Sequence, residues 1–297
     1  MRIAITGASG FVGRRLLHAL AGHSLIVSSR NPKTVLPPGV GLSVWDPEAG
    51  LPVAEALASA EVVVHLAGEP VAQRWTAPVK RRIRDSRIDG TRRLVQALSR
   101  LERPPAALVC ASAIGYYGSR GDEVLSEASG PGTGFLPEVC VAWEHEADGV
   151  IAFGMRVAKI RIGIVLDPGG GALARMLPPF RAGVGGPLGS GRQWMSWIHI
   201  EDLVALIVHA IEHPVRGAVN ATAPAPATNA DFSRALGRVL HRPAVLPAPG
   251  FALKLVFGEM AEVLLASQRV IPFAAEASGF RFAHPQLEPA LQDLLAG

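Results

Sequence analysis

Cysteine is scarce in this sequence. Among 297 residues there are two, Cys110 and Cys140. Two thiols build neither a disulfide framework nor a zinc-binding spacing, and no other cluster of residues shows the spacing of metal ligands. We therefore expect no metal site, two buried thiols without activation, and a reducing, cytoplasmic setting.

Long apolar runs are also missing. The absence of a stretch of about 18 consecutive apolar residues argues against a membrane-spanning helix. The first residues, MRIAITGASG, contain glycine too early for a signal or transit peptide. The sequence shows no aromatic residues interleaved with its cations and no nucleic-acid reading module, so we expect neither a membrane nor a nucleic acid as partner.

Positive charge is unevenly distributed along the chain. The formal net charge is +4, and the cations concentrate in one stretch of twenty residues. That stretch contains Arg74, Lys80, Arg81, Arg82, Arg84, Arg87, Arg92 and Arg93. Two interpretations stay open: the cations form a solvated helix face, or one or two of them reach an anionic ligand.

What the sequence does contain is an alternation of short β-branched runs with longer helical patterns. The predicted strands are Arg2–Thr6, Leu25–Ser29, Leu42–Trp45, Val62–Leu66, Ala107–Ala111 and Lys159–Leu166. The predicted helices between them are Gly13–Ala21, Pro78–Arg100 and Leu136–Gly149. Alternation of this kind predicts an α/β fold with a doubly wound parallel sheet, covered by helices on both faces.

The pattern changes after Asp167, where glycine-rich loops appear. The helices predicted in this region begin near Glu201 and cover Ala230–Leu240, Phe251–Gln268 and Leu287–Leu295. Thr228 or Asn229 is expected to cap the second of them. We therefore predict a sheet domain over residues 1–167, which later strands can complete, and a smaller α/β lobe over residues 168–297.

Three glycines follow the first predicted strand and lead into the first predicted helix. Gly7 permits a tight turn, Gly10 lets the backbone approach a pyrophosphate, and Gly13 permits close packing of helix on strand. The helix N-terminus then offers free N–H groups and a positive dipole end to phosphate. The loop predicts a dinucleotide site; the alternative is a tight turn that binds nothing.

The end of the second strand indicates which dinucleotide is bound. A carboxylate there would bond the ribose hydroxyls and favour NAD, but this sequence has Ser29-Arg30. A hydroxyl and a guanidinium suit a 2′-phosphate, because Arg can donate two parallel hydrogen bonds to it. We expect NADP(H) as the cofactor; the alternative is that Arg30 is a surface residue in the turn before Pro32.

The spacing Gly-x-x-Gly-x-x-Gly resembles that of the short-chain dehydrogenase/reductase superfamily. The segments His65–Gly68 and Trp197–Leu203 are similar to motifs of its extended, epimerase-like branch. A closer resemblance is to the NADP-binding subfamily of epimerase family proteins, which has a short C-terminal domain of its own. The segments that carry this resemblance lie at residues 66–75, 86–88, 185–191 and 258–282.

The resemblance implies a Rossmann-like NADP-binding domain, a substrate-side lobe with residues 247–297 as the family-specific segment, and an assembly that can be a homodimer. It also implies where NADP(H) binds. The implied contacts are Gly7, Ser9, Gly10, Phe11, Val12, Gly13, Ser29, Arg30, Leu66, Ala67, Gly68, Arg87 and Val165.

The sequence departs from the superfamily at its catalytic residues. That chemistry rests on a Tyr-x-x-x-Lys pair and on a Ser or Thr at the end of the fifth strand. Ser112 is present at that strand end, but Leu136 and Cys140 stand at the Tyr and Lys positions. A Leu carries no proton to exchange and a Cys supplies no positive charge, so the usual pair is absent.

Tyr116 and Tyr117, the two tyrosines of the chain, are the nearest substitutes. We expect Ser112 to orient a substrate oxygen and Tyr116 to act as the general acid, with Lys80 as one group that can assist its phenolate. The alternative for each ring is packing under the loop.

Three further polar residues have two interpretations each. Glu69 is an acid/base or a surface residue before Pro70. His199 is more often a hydrogen-bonded structural residue than a ligand. Arg161 reaches a substrate anion or forms an ion pair.

Two functions are compatible with these features. The first is an NADP(H)-dependent oxidoreductase or epimerase-like enzyme that acts on an unknown small substrate, with Ser112 and Tyr116 as catalytic residues. The second is a non-catalytic NADP(H)-binding protein with a regulatory or scaffold role, which the missing Tyr-Lys pair keeps open.

Overall fold

The computed structural model describes residues 1–296. Its strands are β1 (Arg2–Thr6), β2 (Ser24–Ser29), β3 (Gly41–Val44), β4 (Val62–His65), β5 (Ala107–Ala113), β6 (Val124–Leu125), β7 (Arg156–Ile162), β8 (Ile164–Asp167), β9 (Trp194–Met195), β10 (Trp197–His199), β11 (Gly217–Ala221), β12 (Ala227–Thr228) and β13 (Arg269–Val270). Its helices are α1 (Phe11–Ala19), α2 (Ala54–Ala58), α3 (Ala77–Leu98), α4 (Phe135–Asp148), α5 (Gly171–Arg181), α6 (Ile200–Glu212), α7 (Asn229–Leu240), α8 (Gly250–Phe257), α9 (Ala261–Leu265), α10 (Phe273–Ala277) and α11 (Leu287–Leu295).

Seven strands form one parallel sheet in the order β11-β7-β5-β4-β1-β2-β3. The chain runs outward from β1 to β3, then returns to β4 and continues outward on the other side. All four residues of β4 are buried, as expected for a strand covered on both faces. The predicted doubly wound parallel sheet is confirmed.

Helices cover both faces of the sheet. On one face, Leu16 of α1 and Leu203 of α6 pack with Ile5 of β1 in one apolar cluster. On the other face, Leu94 of α3 and Trp143 of α4 pack against β4 and β5. Within residues 1–296, no helix is both long and apolar enough to cross a bilayer.

The predicted strand Lys159–Leu166 is wrong as a single element. Gly163 divides it into β7, which stays in the large sheet, and β8, which pairs with β10. A Cβ on Gly163 would lie 2.5 Å from the Ser196 carbonyl oxygen, so only glycine allows this change of partner. β11 then completes the large sheet from within residues 168–297.

The predicted helix Phe251–Gln268 is also wrong as a single element. α8 ends at Phe257, where Gly258 takes a positive φ of 61° and turns the chain into α9. Residues that follow α9 are extended and include β13. Periodicity alone did not reveal this glycine turn, because both flanking segments are apolar and helical.

The C-terminal segment is attached to the sheet domain rather than separate from it. β13 pairs in parallel with β6, which precedes α4. The Asp202 carboxylate at the start of α6 accepts hydrogen bonds from the backbone N–H groups of Ala283 and His284 at 2.8 and 2.9 Å. Leu291 of α11 is buried against α7 in a third apolar cluster.

Candidate cofactor and substrate site

The loop between β1 and α1 lies directly against the end of β4. Gly7 has a positive φ of 75°, and a Cβ built on it would lie 2.6 Å from the Ala67 nitrogen and from the Leu66 carbonyl carbon. A Cβ on Gly13 would lie 2.4 Å from the Gly7 carbonyl oxygen. Neither position has room for a side chain. The order of the strands places this loop at the switch point of the sheet, where ligands of such folds bind.

The N-terminus of α1 is open to a ligand. Its N-cap is Gly10, which has no side chain to accept from the first N–H groups of the helix. The Ser9 carbonyl accepts from Arg14 Nε at 2.8 Å, which ties the loop to the helix. Uncapped N–H groups at the positive end of a helix fit a phosphate.

The loop after β8 lies against the first residue of α1. A Cβ on Gly170 would lie 2.5 Å from the Phe11 ring, so that ring packs against the loop. The Val165 carbonyl oxygen lies 3.2 Å from the Cβ position of Gly171. Val12 is partly buried in the core beneath. The structure thus brings Phe11, Val12 and Val165 to the edge that carries the glycine loop.

Arg87 of α3 lies over Gly68, which follows the end of β4. Its guanidinium carbon is 3.3 Å from the Cβ position of Gly68, and its Nη1 donates to the carbonyl oxygens of Glu69 and Ile83 at 2.9 and 3.1 Å. The guanidinium also lies over the Trp143 ring, 5.1 Å from its centroid. Burial lowers the pKa of Arg87 below its ordinary value.

The end of β2 carries a hydroxyl and an exposed cation. Ser29 Oγ lies 2.7 Å from Thr34 Oγ1 and accepts from the Asn31 N–H at 3.2 Å. Arg30 is exposed, and within residues 1–296 its guanidinium forms no ion pair. A guanidinium that is not committed to a carboxylate can bind a 2′-phosphate at this strand end.

A buried polar network lies under the end of β5. Ser112 Oγ donates to Glu144 Oε1 at 2.7 Å. Arg161 of β7 donates from Nε and Nη2 to the two oxygens of Glu144 at 2.8 and 2.9 Å. All three side chains are less than one tenth exposed. Arg161 therefore forms an ion pair, and its donors toward Glu144 are not available to a substrate anion.

Both tyrosines contact this network. Tyr117 is fully buried; its hydroxyl donates to Asn220 Oδ1 at 2.7 Å and accepts from Arg161 Nη1 at 2.9 Å. Burial raises the pKa of Tyr117 above its ordinary value. Tyr116 is half-buried, with its ring face 3.5 Å from the Arg161 guanidinium. Its hydroxyl forms no hydrogen bond within residues 1–296, so it is the phenol that can meet a ligand.

The two residues predicted to stand at the Tyr and Lys positions face the same turn. The Cβ position of Gly115 lies 3.5 Å from Leu136 and 3.8 Å from the Cys140 sulfur. Burial raises the pKa of the Cys140 thiol to about 12, so it stays protonated. Lys80 is 2.7 Å from Glu259 Oε2 in an ion pair. Neither Cys140 nor Lys80 is thus placed as a free cation for Tyr116.

His199 has a structural role at the start of α6. It is the N-cap of α6, and its Nδ1 accepts from the Glu201 N–H at 3.1 Å. Its ring stacks on His284 at 3.8 Å, and Asp293 lies 3.3 Å from its Nε2. These three side chains, which sequence spacing did not connect, form the one group within residues 1–296 with metal-ligand proximity. Because the lone pair of Nδ1 accepts this hydrogen bond, the neutral ring carries its proton on Nε2, and this tautomer offers Nε2 no lone pair for a metal.

Sequence reasoning missed Glu144, Asn220 and Gln268. Glu144 follows Leu136 and Cys140 on α4 at spacings of eight and four, which is one helix face. That spacing was an available signal. Asn220 of β11 had none, because the tertiary structure alone brings it to Tyr117. Gln268 lies in the segment 258–282 that carries the family resemblance, but only the tertiary structure shows that its Nε2 donates to the Ile114 carbonyl at 2.8 Å. Glu69 is held by Gln73 Nε2, which donates to its Oε1 at 3.0 Å.

Comparison with known proteins agrees with the fold described above. The profile of the NAD dependent epimerase/dehydratase family matches residues 3–222, and that of a domain of unknown function, DUF1731, matches residues 248–294. The chain is 41% identical over 310 residues to the epimerase family protein SDR39U1 homolog, chloroplastic, of Arabidopsis thaliana, covering 99% of this chain and 87% of that protein. It is 37% identical to the epimerase family protein YfhF of Bacillus subtilis, covering 100% and 98%. The crystal structure of human epimerase family protein SDR39U1 (isoform 2) with NADPH superposes with a TM-score of 0.88 at 34% identity, covering 100% of both chains.

Proposed function

Since this chain belongs to the NAD dependent epimerase/dehydratase family, we propose that it is an NADP(H)-dependent oxidoreductase or epimerase-like enzyme that acts on a small molecule. The cofactor, when bound, supplies or accepts a hydride. The related human structure is described as containing NADPH. Two buried thiols fit a reducing, cytoplasmic setting, and a homodimer stays a prediction.

The residues around the glycine loop fit NADP(H). The Gly7 and Gly13 positions, where a Cβ would meet backbone, leave the α1 N-terminus open for the pyrophosphate. The uncommitted Arg30 suits the 2′-phosphate, with Ser29 beside it. The remaining proposed contacts are Ser9, Gly10, Phe11, Val12, Leu66, Ala67, Gly68, Arg87 and Val165.

The observation that carries an enzymatic role is the buried network that joins Ser112, Glu144 and Arg161. A buried ion pair often stabilises a fold no more than apolar residues of similar size would. Stability of the fold alone therefore does not account for this network. It lies under the carboxyl end of β5, on the side of the sheet where ligands of this fold bind. We assign Ser112 to orient the substrate oxygen and Tyr116 to exchange its proton.

A second function is favoured by one observation. Leu136 and Cys140 occupy the positions of the usual catalytic pair and supply neither a proton nor a positive charge. A non-catalytic NADP(H)-binding protein with a regulatory or scaffold role therefore remains the alternative.

Arg30→Ala tests the cofactor. We expect it to weaken NADPH binding at least about tenfold and to leave NADH binding unchanged, because only NADPH carries the phosphate. Fluorescence titration measures both affinities, and Arg103→Ala, another exposed arginine, is the control. Equal affinities of the wild type for NADPH and NADH, or normal NADPH binding by Arg30→Ala, would contradict the 2′-phosphate contact.

A turnover screen tests the enzymatic role. NADPH oxidation is followed with carbonyl compounds and nucleotide sugars, and we expect turnover that Ser112→Ala and Tyr116→Phe both reduce. Turnover that neither change affects removes these two residues from the mechanism. No turnover with any compound favours the non-catalytic alternative.

A further inference from the structure

Helix α8 presents an apolar face to solvent. Phe251 and Leu255 are each 77% exposed, and Val256 beside them is 60% exposed. Phe251 and Leu255 are four residues apart, so they lie on one face of the helix. The next helix, α9, adds Val263, which is 38% exposed. Large apolar side chains that are grouped on a surface in this way mark an interaction site.

Other exposed apolar residues do not form such a group. Among residues 1–296, Phe273 is the one exposed large apolar side chain of α10, and Val141 is the one of α4. The surface that α3 shares with α4 is charged, with Arg92 paired to Glu146. Single exposed apolar residues are ordinary on a protein surface, whereas α8 exposes three among its eight residues.

The opposite side of this segment is already packed on the sheet domain. Met260 is buried with Trp75 and Val79 in an apolar cluster at the start of α3. Glu259 forms an ion pair with Lys80 at 2.7 Å. Because these contacts fix the inner side of the segment, the face of α8 that carries Phe251 is not left exposed for lack of a place in the core.

The charges beside this face indicate what covers it. Lys254 of α8 and Glu262 of α9 are exposed, and neither forms an ion pair within residues 1–296. Residues 250–265 carry one cation against the two carboxylates Glu259 and Glu262, which does not suit an anionic membrane surface. A second copy in reversed orientation does suit it, because two-fold symmetry can bring the cation of each copy to the carboxylate of the other.

We propose that the exposed face of α8, with Val263 of α9, is a homodimer contact whose occupant is the same face of a second copy. Phe251 and Leu255 pack on their counterparts across a two-fold axis, and Lys254 pairs with Glu262 of the second copy. The inference assigns a surface to the predicted homodimer and does not depend on the proposed enzymatic function. Since the patch has few residues, the dimer is reversible, with a dissociation constant on the order of micromolar.

Analytical ultracentrifugation of the full chain, from about 1 to about 500 µM, tests the contact around that affinity. We expect a monomer–dimer equilibrium that Phe251→Asp and Leu255→Asp each weaken at least about thirtyfold, because apolar anchors carry most of the affinity of an interface. Phe273→Asp is the matched control, since Phe273 is 64% exposed but isolated on α10, and it should leave the equilibrium unchanged. Thermal unfolding checks that each variant is folded.

A charge exchange tests the orientation of the two copies. Lys254→Glu should weaken the dimer about fivefold, because it sets like charges against each other. Adding Glu262→Lys to Lys254→Glu restores opposite charges across the axis and should return the affinity to within about twofold of the wild type. A double variant no tighter than Lys254→Glu alone would overturn the proposed pairing.

A wild-type chain that stays monomeric over the whole range, or a dimer that both aspartate variants leave intact, would also overturn the proposal. Flotation of the wild type with phosphatidylglycerol vesicles, lost in Phe251→Asp, would assign the face to a membrane instead. None of these outcomes involves NADPH or turnover, so failure of the dimer contact and failure of the proposed function are distinguishable.

Discussion

Gly7 is a residue of the candidate cofactor site whose backbone conformation and surroundings both require glycine. It combines a positive φ with a Cβ position that the backbone of Leu66 and Ala67, just after β4, already occupies. Glycine spacing alone predicted this role, because a tight turn against a neighbouring strand has no other solution among natural residues. Ser29 and Arg30 were predicted for a related reason, since their chemistry is local to one strand end.

Gly7→Ala should therefore destabilise the fold and abolish NADPH binding. The strained φ costs on the order of 1 kcal/mol, and the backbone clash adds to it. Urea unfolding and NADPH titration measure the two effects. Gly39→Ala is a matched control, because Gly39 has a φ of 82° with no atom within 4 Å of its Cβ position. Equal losses of stability in the two variants would show that the clash with the backbone of Leu66 and Ala67 does not lower the free energy of unfolding.

His65 makes stability depend on pH. It is buried between Thr6 Oγ1 at 2.6 Å and Thr91 Oγ1 at 3.0 Å, and burial lowers its pKa from 6.5 to about 4. Between these values the unfolded chain binds the proton and the folded chain does not. The contribution of His65 to the free energy of unfolding is therefore fully present above pH 6.5. It falls as the pH approaches 4, by roughly 3 kcal/mol in all.

Urea unfolding at pH 7.5, 6 and 5 measures this dependence. We expect His65→Gln to unfold with a smaller change between these pH values than the wild type. The exposed His145 offers the control His145→Gln, which should keep the wild-type dependence. Identical slopes in wild type and His65→Gln would rule out His65 as the titrating group.

At the scale of elements, local signals predicted most of the sheet and its helices but failed where a glycine redirects the chain. Gly163 divides one apolar run between two sheets, and Gly258 divides one helical run into α8 and α9. In each case the residues on both sides of the glycine have the same secondary-structure propensity. The position of the break depends on the atoms that surround the glycine in the fold. Thr228, which was one of two expected caps for α7, is confirmed as its N-cap.

Thr228→Ala should cost about 1 kcal/mol, the usual loss for a removed N-cap. The hydroxyl accepts from the Asp231 N–H at 3.1 Å, which satisfies one open donor of α7. Urea unfolding measures the loss, and Thr228→Ser should recover most of it because the oxygen is retained. A stability of Thr228→Ala equal to that of the wild type would mean that solvent caps α7 equally well.

At the scale of the whole molecule, the C-terminal segment holds the turn that carries Tyr116. Gln268 Nε2 donates to the Ile114 carbonyl, and Val270 packs beside Tyr117 in a small buried cluster. The matched domain of unknown function therefore contributes to the candidate site as well as to the C-terminal lobe.

Gln268→Ala should make that turn more mobile without changing the glycine loop of the cofactor site. Loss of one hydrogen bond worth about 1 kcal/mol predicts roughly fivefold faster amide exchange over residues 114–118. Hydrogen–deuterium exchange read by mass spectrometry checks this, with residues 7–13 expected to be unchanged. Gln286→Ala removes an exposed glutamine amide and is the control. Unchanged exchange over residues 114–118 would mean that Gln268 does not restrain the turn.

The sequence by itself determined the alternation that makes the doubly wound sheet and the glycine loop, because each depends on neighbours within a few positions. The contact of Ser29 and Arg30 with the 2′-phosphate stays a prediction. Only the tertiary structure decided what surrounds Ser112. Its partner Glu144 is 32 residues away along the chain, and Tyr117 meets Asn220 across 103 residues. Hydrogen bonds over such separations depend on the order of β5, β7 and β11 in the sheet, which local periodicity does not encode. The sequence predicts Leu136 and Cys140 at the Tyr and Lys positions, whereas the network beside them was visible only once the strands were in place.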